Sequence, residues 1–349
     1  FHVGPTPPPA PGRCTLWFDS PAPPALRREV DVELSHFPGS TRRHQGATAV
    51  EMCLHFVQHG GTGDLAVNPR VSISGVLCAY VLLQPSDAQQ HAAVLTQVAH
   101  MADFQRDGDA VARMLFQGLA LTLQACVTSQ ADALSTYKQC MLQIPRMLGG
   151  TGRDDVAVRT GIQTLGESLK LVEQGKIQRR VPTQRLAQYV MDAGVVGAGL
   201  VRALHIPPLG SPLTPDVLLS PFVRTRLDAE RAHLVSVEGQ GGWFHDVFLP
   251  AHVWTDCAPW WQPAGMVRTA GWCGLDETHP LHAVAQELQA SETAPVTWMV
   301  PRRMNPFAGA MKAGRRFPVV LACVDDEGKT APSQLHPQRV GHVVARAFG

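Results

Sequence analysis

Charge is what this sequence has least of. Of its 349 residues, 17% are Asp, Glu, Lys or Arg, against about a quarter in an average globular protein. The two signs nearly cancel: 30 basic residues against 29 acidic ones leave a formal net charge of +1. That balance excludes a global field of the kind that draws a protein to nucleic acid or to an anionic membrane. So few charges give weak colloidal repulsion, and the favoured reading is a surface partly covered by partners. Plentiful Gln and His supply the alternative, a surface kept soluble by neutral polar groups. Lysine is almost missing. Lys138, Lys170, Lys176, Lys312 and Lys329 are the only five among the 30 basic residues, which leaves 25 Arg. Arg suits bidentate contacts, but codon bias in a GC-rich genome explains the excess more simply.

Other absences narrow the class. The eight cysteines include no pair at CxxC spacing, which argues against a zinc cluster. Cys78, in Val76-Leu77-Cys78-Ala79, typifies their apolar setting. They read as small buried hydrophobes of a reducing compartment. No run of about 18 uncharged apolar residues exists; the nearest, Tyr189 to Leu204, holds Asp192 and Arg202. No membrane span is expected. There is no HExxH and no GxSxG elbow. Gly239-Gln240-Gly241-Gly242 lacks the Lys-Ser/Thr and the helix of a phosphate loop. The chain starts at Phe1 rather than Met, so a segment upstream is expected, an organelle presequence being one candidate. The expected location is the mitochondrial matrix or another organelle, with the cytoplasm as the alternative.

What is present is an α/β pattern in two parts. Residues 1–28 carry eight prolines and read as an extended arm outside the core. Residues 29–150 alternate short apolar strands with helices: Val30–Leu34 and Leu65–Val67 as strands, Ala47–Val57 and Gly75–Leu83 as helices. That alternation predicts a parallel sheet flanked by helices. Residues 151–229 read as a helical connecting region, with a helix marked by Val158, Ile162, Leu165, Leu169 and Val172 and a second over Thr183–Leu204. Residues 230–349 read as a smaller α+β domain: strands at His233–Val237, Val247–Leu249, Val296–Val300 and Val319–Val324, and helices around Leu281–Leu288 and Val340–Ala347.

The informative segment is Val67-Asn68-Pro69-Arg70-Val71-Ser72-Ile73-Ser74-Gly75-Val76-Leu77-Cys78, laid out as strand, short loop, glycine and apolar helix. Loops at the carboxyl ends of parallel strands converge on a crevice, where α/β enzymes place their ligands. Here the chain resembles the DHH phosphoesterase-like superfamily. It is closest to an uncharacterised bacterial family with an Asn-His-Phe-Asp-x-Asp-Gly motif in the same context. Leu34-Ser35-His36-Phe37-Pro38-Gly39 resembles that family's Leu-Ser-His-Trp-Pro-Gly. Ala102-Asp103-Phe104 resembles its Gly-Asp-Phe, and Trp298 and Ser333–Val340 resemble its last strand and helix. The resemblance implies a DHH-like N-terminal domain in which the motif's His and two Asp hold divalent metal, joined by the carboxylate at position 103.

This chain has Arg70, Ser72 and Ser74 where the resemblance places the His and the two Asp. Magnesium or manganese needs hard, mostly anionic oxygen ligands. The two serines are neutral, and Arg70 puts a permanent positive charge where a dication would sit. The expectation is therefore a degenerate pocket of Arg70, Ser72, Ser74, Asp103 and His36, with no catalytic residues, no metal and no cofactor. The expected role is a pseudoenzyme: a structural or accessory subunit of a larger assembly, whose partners are other protein subunits. Alternatives are a metal-dependent phosphoesterase with relocated ligands such as His36, Asp103 and His100, or an RNA-binding accessory protein. The bland alternative for the same loop is an ordinary turn with Ser74 capping the following helix.

Remaining features weigh less. His245 and Asp246 are adjacent, but neighbours on a strand face opposite ways and need not form a catalytic pair. Trp260-Trp261 could stack bases, though burial suits them better. Arg179-Arg180, Arg302-Arg303 and Arg315-Arg316 offer phosphate contacts, but no broad basic face accompanies them.

Overall fold

The computed structural model describes residues 1–3, 12–21, 26–27, 29–40, 44–152, 155–255, 266–269, 272–301 and 318–349. Arg302-Arg303, Arg315-Arg316 and Trp260-Trp261 lie outside them. The chain divides into two compact units, one of residues 1–162 with short pieces of later chain, the other made from the remainder after Ile162.

The first unit is built on four parallel strands: β1 (His2–Val3), β2 (Thr15–Phe18), β3 (Val32–Leu34) and β4 (Leu65–Asn68). Their order is β1-β4-β2-β3. Thr15–Trp17 pair with Leu65–Val67, and Leu16–Phe18 with Val32–Leu34. This corrects the expectation of an arm outside the core over residues 1–28. β2 is a central strand, and Trp17 and Phe18 are 2% and 0% exposed. The prolines flank the strand and spare Thr15–Phe18, whose backbone donors the sheet needs.

Helices α1 (Ala49–Gln58), α2 (Ile73–Leu83), α3 (Pro85–Gln90), α4 (Ala92–Phe104), α5 (Ala110–Thr128) and α6 (Ala133–Leu148) complete the unit, and α7 (Val156–Glu173) leads out of it. Thr48 and Glu51 form a capping box at the start of α1, closing two orphan donors at once. α2 is buried at every position from Ile73 to Val81, which is why its sequence is apolar all round. Its cap is Ser72, not Ser74. Among the described residues only α5 is long and apolar enough to cross a membrane, and 44% of its most apolar 18-residue window is buried inside the fold.

The second unit carries a six-stranded mixed sheet. Its strands are β5 (Gln178–Thr183), β6 (Leu186–Met191), β7 (Ala232–Gly239), β8 (Gly242–Phe248), and two later ones defined below. The helix expected over 183–204 is corrected here. Leu186–Met191 is a fully buried strand, followed only by the short helices α8 (Ala193–Val196) and α9 (Leu200–Leu204). Then come α10 (Pro221–Asp228), a hairpin of β9 (Met266–Thr269) and β10 (Trp272–Leu275), α11 (Leu281–Ser291), β11 (Thr297–Met299), β12 (Val319–Val324) and α12 (Pro337–Ala345). The sheet order is β11-β12-β8-β7-β6-β5, with only β6 and β7 parallel. So two strands of this sheet come from the region expected to be a helical connection. Gln188 donates to the Pro337 carbonyl and fastens α12 to one face. α10 packs against β7.

A buried Asp-His-Asp cluster at the strand ends

The carboxyl ends of β2, β3 and β4 deliver three short segments to one edge of the parallel sheet. The residue after β2 is Asp19, whose amide donates to the Leu34 carbonyl at 3.2 Å. It sits at φ 46°, in the left-handed region that costs a non-glycine residue energy and recurs at functional sites. After β3 comes Ser35-His36, and after β4 the loop from Asn68 to Ser72. Asp103 arrives from the last turn of α4. Asp19, His36 and Asp103 are all buried, and one polar atom from each lies within 4.8 Å of the others.

The residues singled out from sequence surround this cluster. Ser72 Oγ accepts from the Gly75 amide at 2.9 Å and donates to Asp19 Oδ2 at 2.5 Å. Ser74 Oγ donates to Asp103 Oδ2 at 2.8 Å. The Arg70 guanidinium lies over the Phe37 ring, 5.2 Å from its centroid. The Arg70 amide donates to Asn68 Oδ1 at 2.8 Å, and the Tyr137 hydroxyl donates to the Arg70 carbonyl at 2.9 Å. Arg70, Ser72, Ser74, Asp103 and His36 are therefore one site. Asp19 is the member that sequence reasoning missed. His100 is not part of it: its Nε2 lies 3.2 Å from Glu51 Oε2.

Burial pushes both Asp19 and Asp103 above the usual carboxylate range. For Asp103, the charge on Asp19 pushes further the same way, and its pKa stands well above normal. The Arg70 charge pulls both carboxyls back down, helped by the Ser72 and Ser74 hydroxyls. Two buried carboxyls this close disfavour each other's ionisation. The same burial, with Asp19 nearby, raises the Tyr137 phenol well above its normal value.

Proximity alone would make the cluster a cation site, but the hydrogen bonds do not fit one. His36 Nδ1 accepts from the Ala49 amide at 2.8 Å, an orphan donor at the first turn of α1. A neutral imidazole has one lone pair. Spending it on Ala49 puts the proton on Nε2, the nitrogen 4.0 Å from Asp103 Oδ2. A metal-bound histidine does the reverse, binding through one nitrogen and donating from the other. The loop fits no better: where the resemblance calls for anionic donors, Ser72 and Ser74 bring hydroxyl protons and Arg70 a cation. No family model, curated protein or solved structure matches this chain.

Other candidates resolve as structure. His245 and Asp246 point to opposite faces of β8. His245 Nδ1 meets Ser236 Oγ at 2.9 Å, and its Nε2 donates to the Leu335 carbonyl at 3.0 Å. Arg179 makes a two-pronged ion pair with Asp228, at 2.6 and 2.8 Å.

Proposed function

We propose that this chain is a non-catalytic, accessory subunit of a larger protein assembly, built on a scaffold resembling the DHH phosphoesterases. The carrying observation is the hydrogen-bonding pattern of the strand-end cluster. The His36 lone pair faces Ala49, two serine hydroxyls face the two carboxylates, and Arg70 supplies the positive charge. Ser72 and Ser74 donate to Asp19 and Asp103, and the Arg70 charge favours the ionised carboxylates, which leaves little for a dication to gain. The cluster is also closed: His36 is fully buried, and Asp19 and Asp103 are 3% and 9% exposed. The accessory role is supported by the sparse surface charge and by bare apolar residues on α5 and α6. Val127, Leu134 and Leu142 are 75%, 45% and 72% exposed.

The test is metal analysis joined to a hydrolysis assay. The purified chain, loaded with Mn²⁺ or Mg²⁺ and then desalted, is expected to retain no stoichiometric metal and to leave bis(p-nitrophenyl) phosphate uncleaved. Stoichiometric metal that disappears in Asp103→Ala would overturn the reading. It would favour the second one, a phosphoesterase with relocated ligands, which rests on the mutual proximity of Asp19, His36 and Asp103. The RNA-binding alternative keeps less support, because Arg179 is committed to Asp228.

A further inference from the structure

Arg224 is a buried cation with no ion-pair or hydrogen-bond partner among the described residues. It lies on α10 and is 6% exposed. Its guanidinium carbon sits 4.0 Å from the centroid of the Phe248 ring. Among the described residues no hydrogen bond or ion pair engages it, and its Nη1 is sealed from solvent with no acceptor. The nearby carboxylates are otherwise occupied or out of reach. Asp228 receives Arg179, Arg231 at 2.9 Å, and the Tyr189 hydroxyl. Asp246 lies on the same face of β8 as Phe248. It acts on Arg224 electrostatically but makes no ion pair with it. His233, which pairs with Phe248 across the β7–β8 ladder, brings no charge: burial holds its pKa down to about 3.

A guanidinium offers five donors in a rigid plane. Native proteins rarely bury such a group unsatisfied, and an exception usually marks an absent ligand, ion or water. Burial lowers the Arg224 pKa only to about 10, so the charge persists at neutral pH. The Phe248 ring supports the guanidinium at its carbon, and Nη1 has no protein acceptor among the described residues.

We propose that Arg224 anchors an oxyanion site in the second unit, taking two oxygens of a phosphate or carboxylate group on its fork while Phe248 supports its face. Bidentate geometry is what Arg provides and Lys does not.

The experiment uses the full chain, with inorganic phosphate and acetate as separate probes against chloride at equal ionic strength. Thermal unfolding and calorimetric titration are the readouts. At least one probe is expected to bind saturably and to raise the wild-type melting temperature by several degrees. Phosphate alone acting identifies a phosphate group, acetate alone a carboxylate, and both together a general oxyanion site. Arg224→Met should lose the shift yet be no less stable than wild type in anion-free buffer, since it removes an uncompensated charge. Arg224→Lys should weaken binding at least tenfold. The proposal fails if neither probe binds, or if Arg224→Met keeps the shift. It also fails if Arg224→Met is clearly destabilised without anion, which would mean that Arg224 is matched internally, through water to Asp246.

Discussion

Replacing Arg70 with Met tests whether its charge holds the strand-end cluster together. The substitution keeps an apolar stem of similar length against Phe37 but removes the one cation that favours ionisation of Asp19 and Asp103. Two contributions are lost. The cation-π contact with Phe37 contributes about 0.5–1 kcal/mol at a half-buried site and does not depend on pH between 5 and 8. The electrostatic part does. Both carboxyls already sit above their unfolded values, so their contribution to stability is fully present below the unfolded pKa and is lost as pH rises through the folded one. Removing Arg70 pushes the folded values higher and widens that window. Each additional proton held by the native state costs about 1.36 kcal/mol per pH unit across it. Breaking a fully buried ion pair costs about 3–5 kcal/mol, and the partial exposure of Arg70 reduces that. The expected destabilisation is therefore about 1 kcal/mol at pH 5, growing to about 2–3 kcal/mol at pH 8. Urea unfolding followed by circular dichroism at pH 5, 6.5 and 8 measures it. A loss that stays constant or shrinks as pH rises would refute the proposed electrostatics.

Three further outcomes are expected. Trp17→Ala should cost about 3–5 kcal/mol, as for a buried aromatic; a loss under about 1 kcal/mol in urea unfolding would return residues 1–28 to the status of an arm. Gly75→Ala should destabilise the first unit by about 1–3 kcal/mol, because a Cβ there would meet Asn68 Nδ2 and Tyr137 Oη at 2.6 Å; an unchanged melting temperature would show that the loop yields easily. His245→Gln should blunt acid unfolding. Burial lowers the His245 pKa to about 4 against about 6.5 unfolded, so its stabilisation is present above pH 6.5 and is lost as pH falls toward 4. Between pH 6.5 and 4.5 wild type should lose about 2.2 kcal/mol more than the variant, and equal acid slopes would contradict that.

The pieces legible in the sequence were those whose local pattern matched their environment. A strand at Leu65–Val67 and an apolar helix over Gly75–Leu83 could be read directly, within two residues of the observed bounds, because a buried strand and a buried helix separated by a short turn announce themselves. The grouping of Arg70, Ser72, Ser74, Asp103 and His36 came from the resemblance to the DHH-like family and not from local pattern. Asp19 was hidden because its strand lies in a proline-rich stretch, where four residues of Thr-Leu-Trp-Phe are outweighed by their flanks. β6 was read as helix for a different reason. A strand buried on both faces shows no alternation, and its apolar run continues into Val195, Val196 and Leu200, imitating a helical stretch. The His36 tautomer could not be read from sequence at all, since it depends on an amide thirteen residues away.

The placement of β2 also governs how the chain is made. Thr15 pairs with Leu65, so the strand that completes the centre of the sheet is translated long before its neighbour. At roughly 5–20 residues per second the interval is about 2.5–10 s. Throughout it Trp17 and Phe18 have no β4 to pack beside, and Asp19 has no Ser72 to meet. The nascent first unit is thus committed to a wait with two large aromatic side chains of β2 lacking that neighbour, a window in which a chaperone would find a natural substrate.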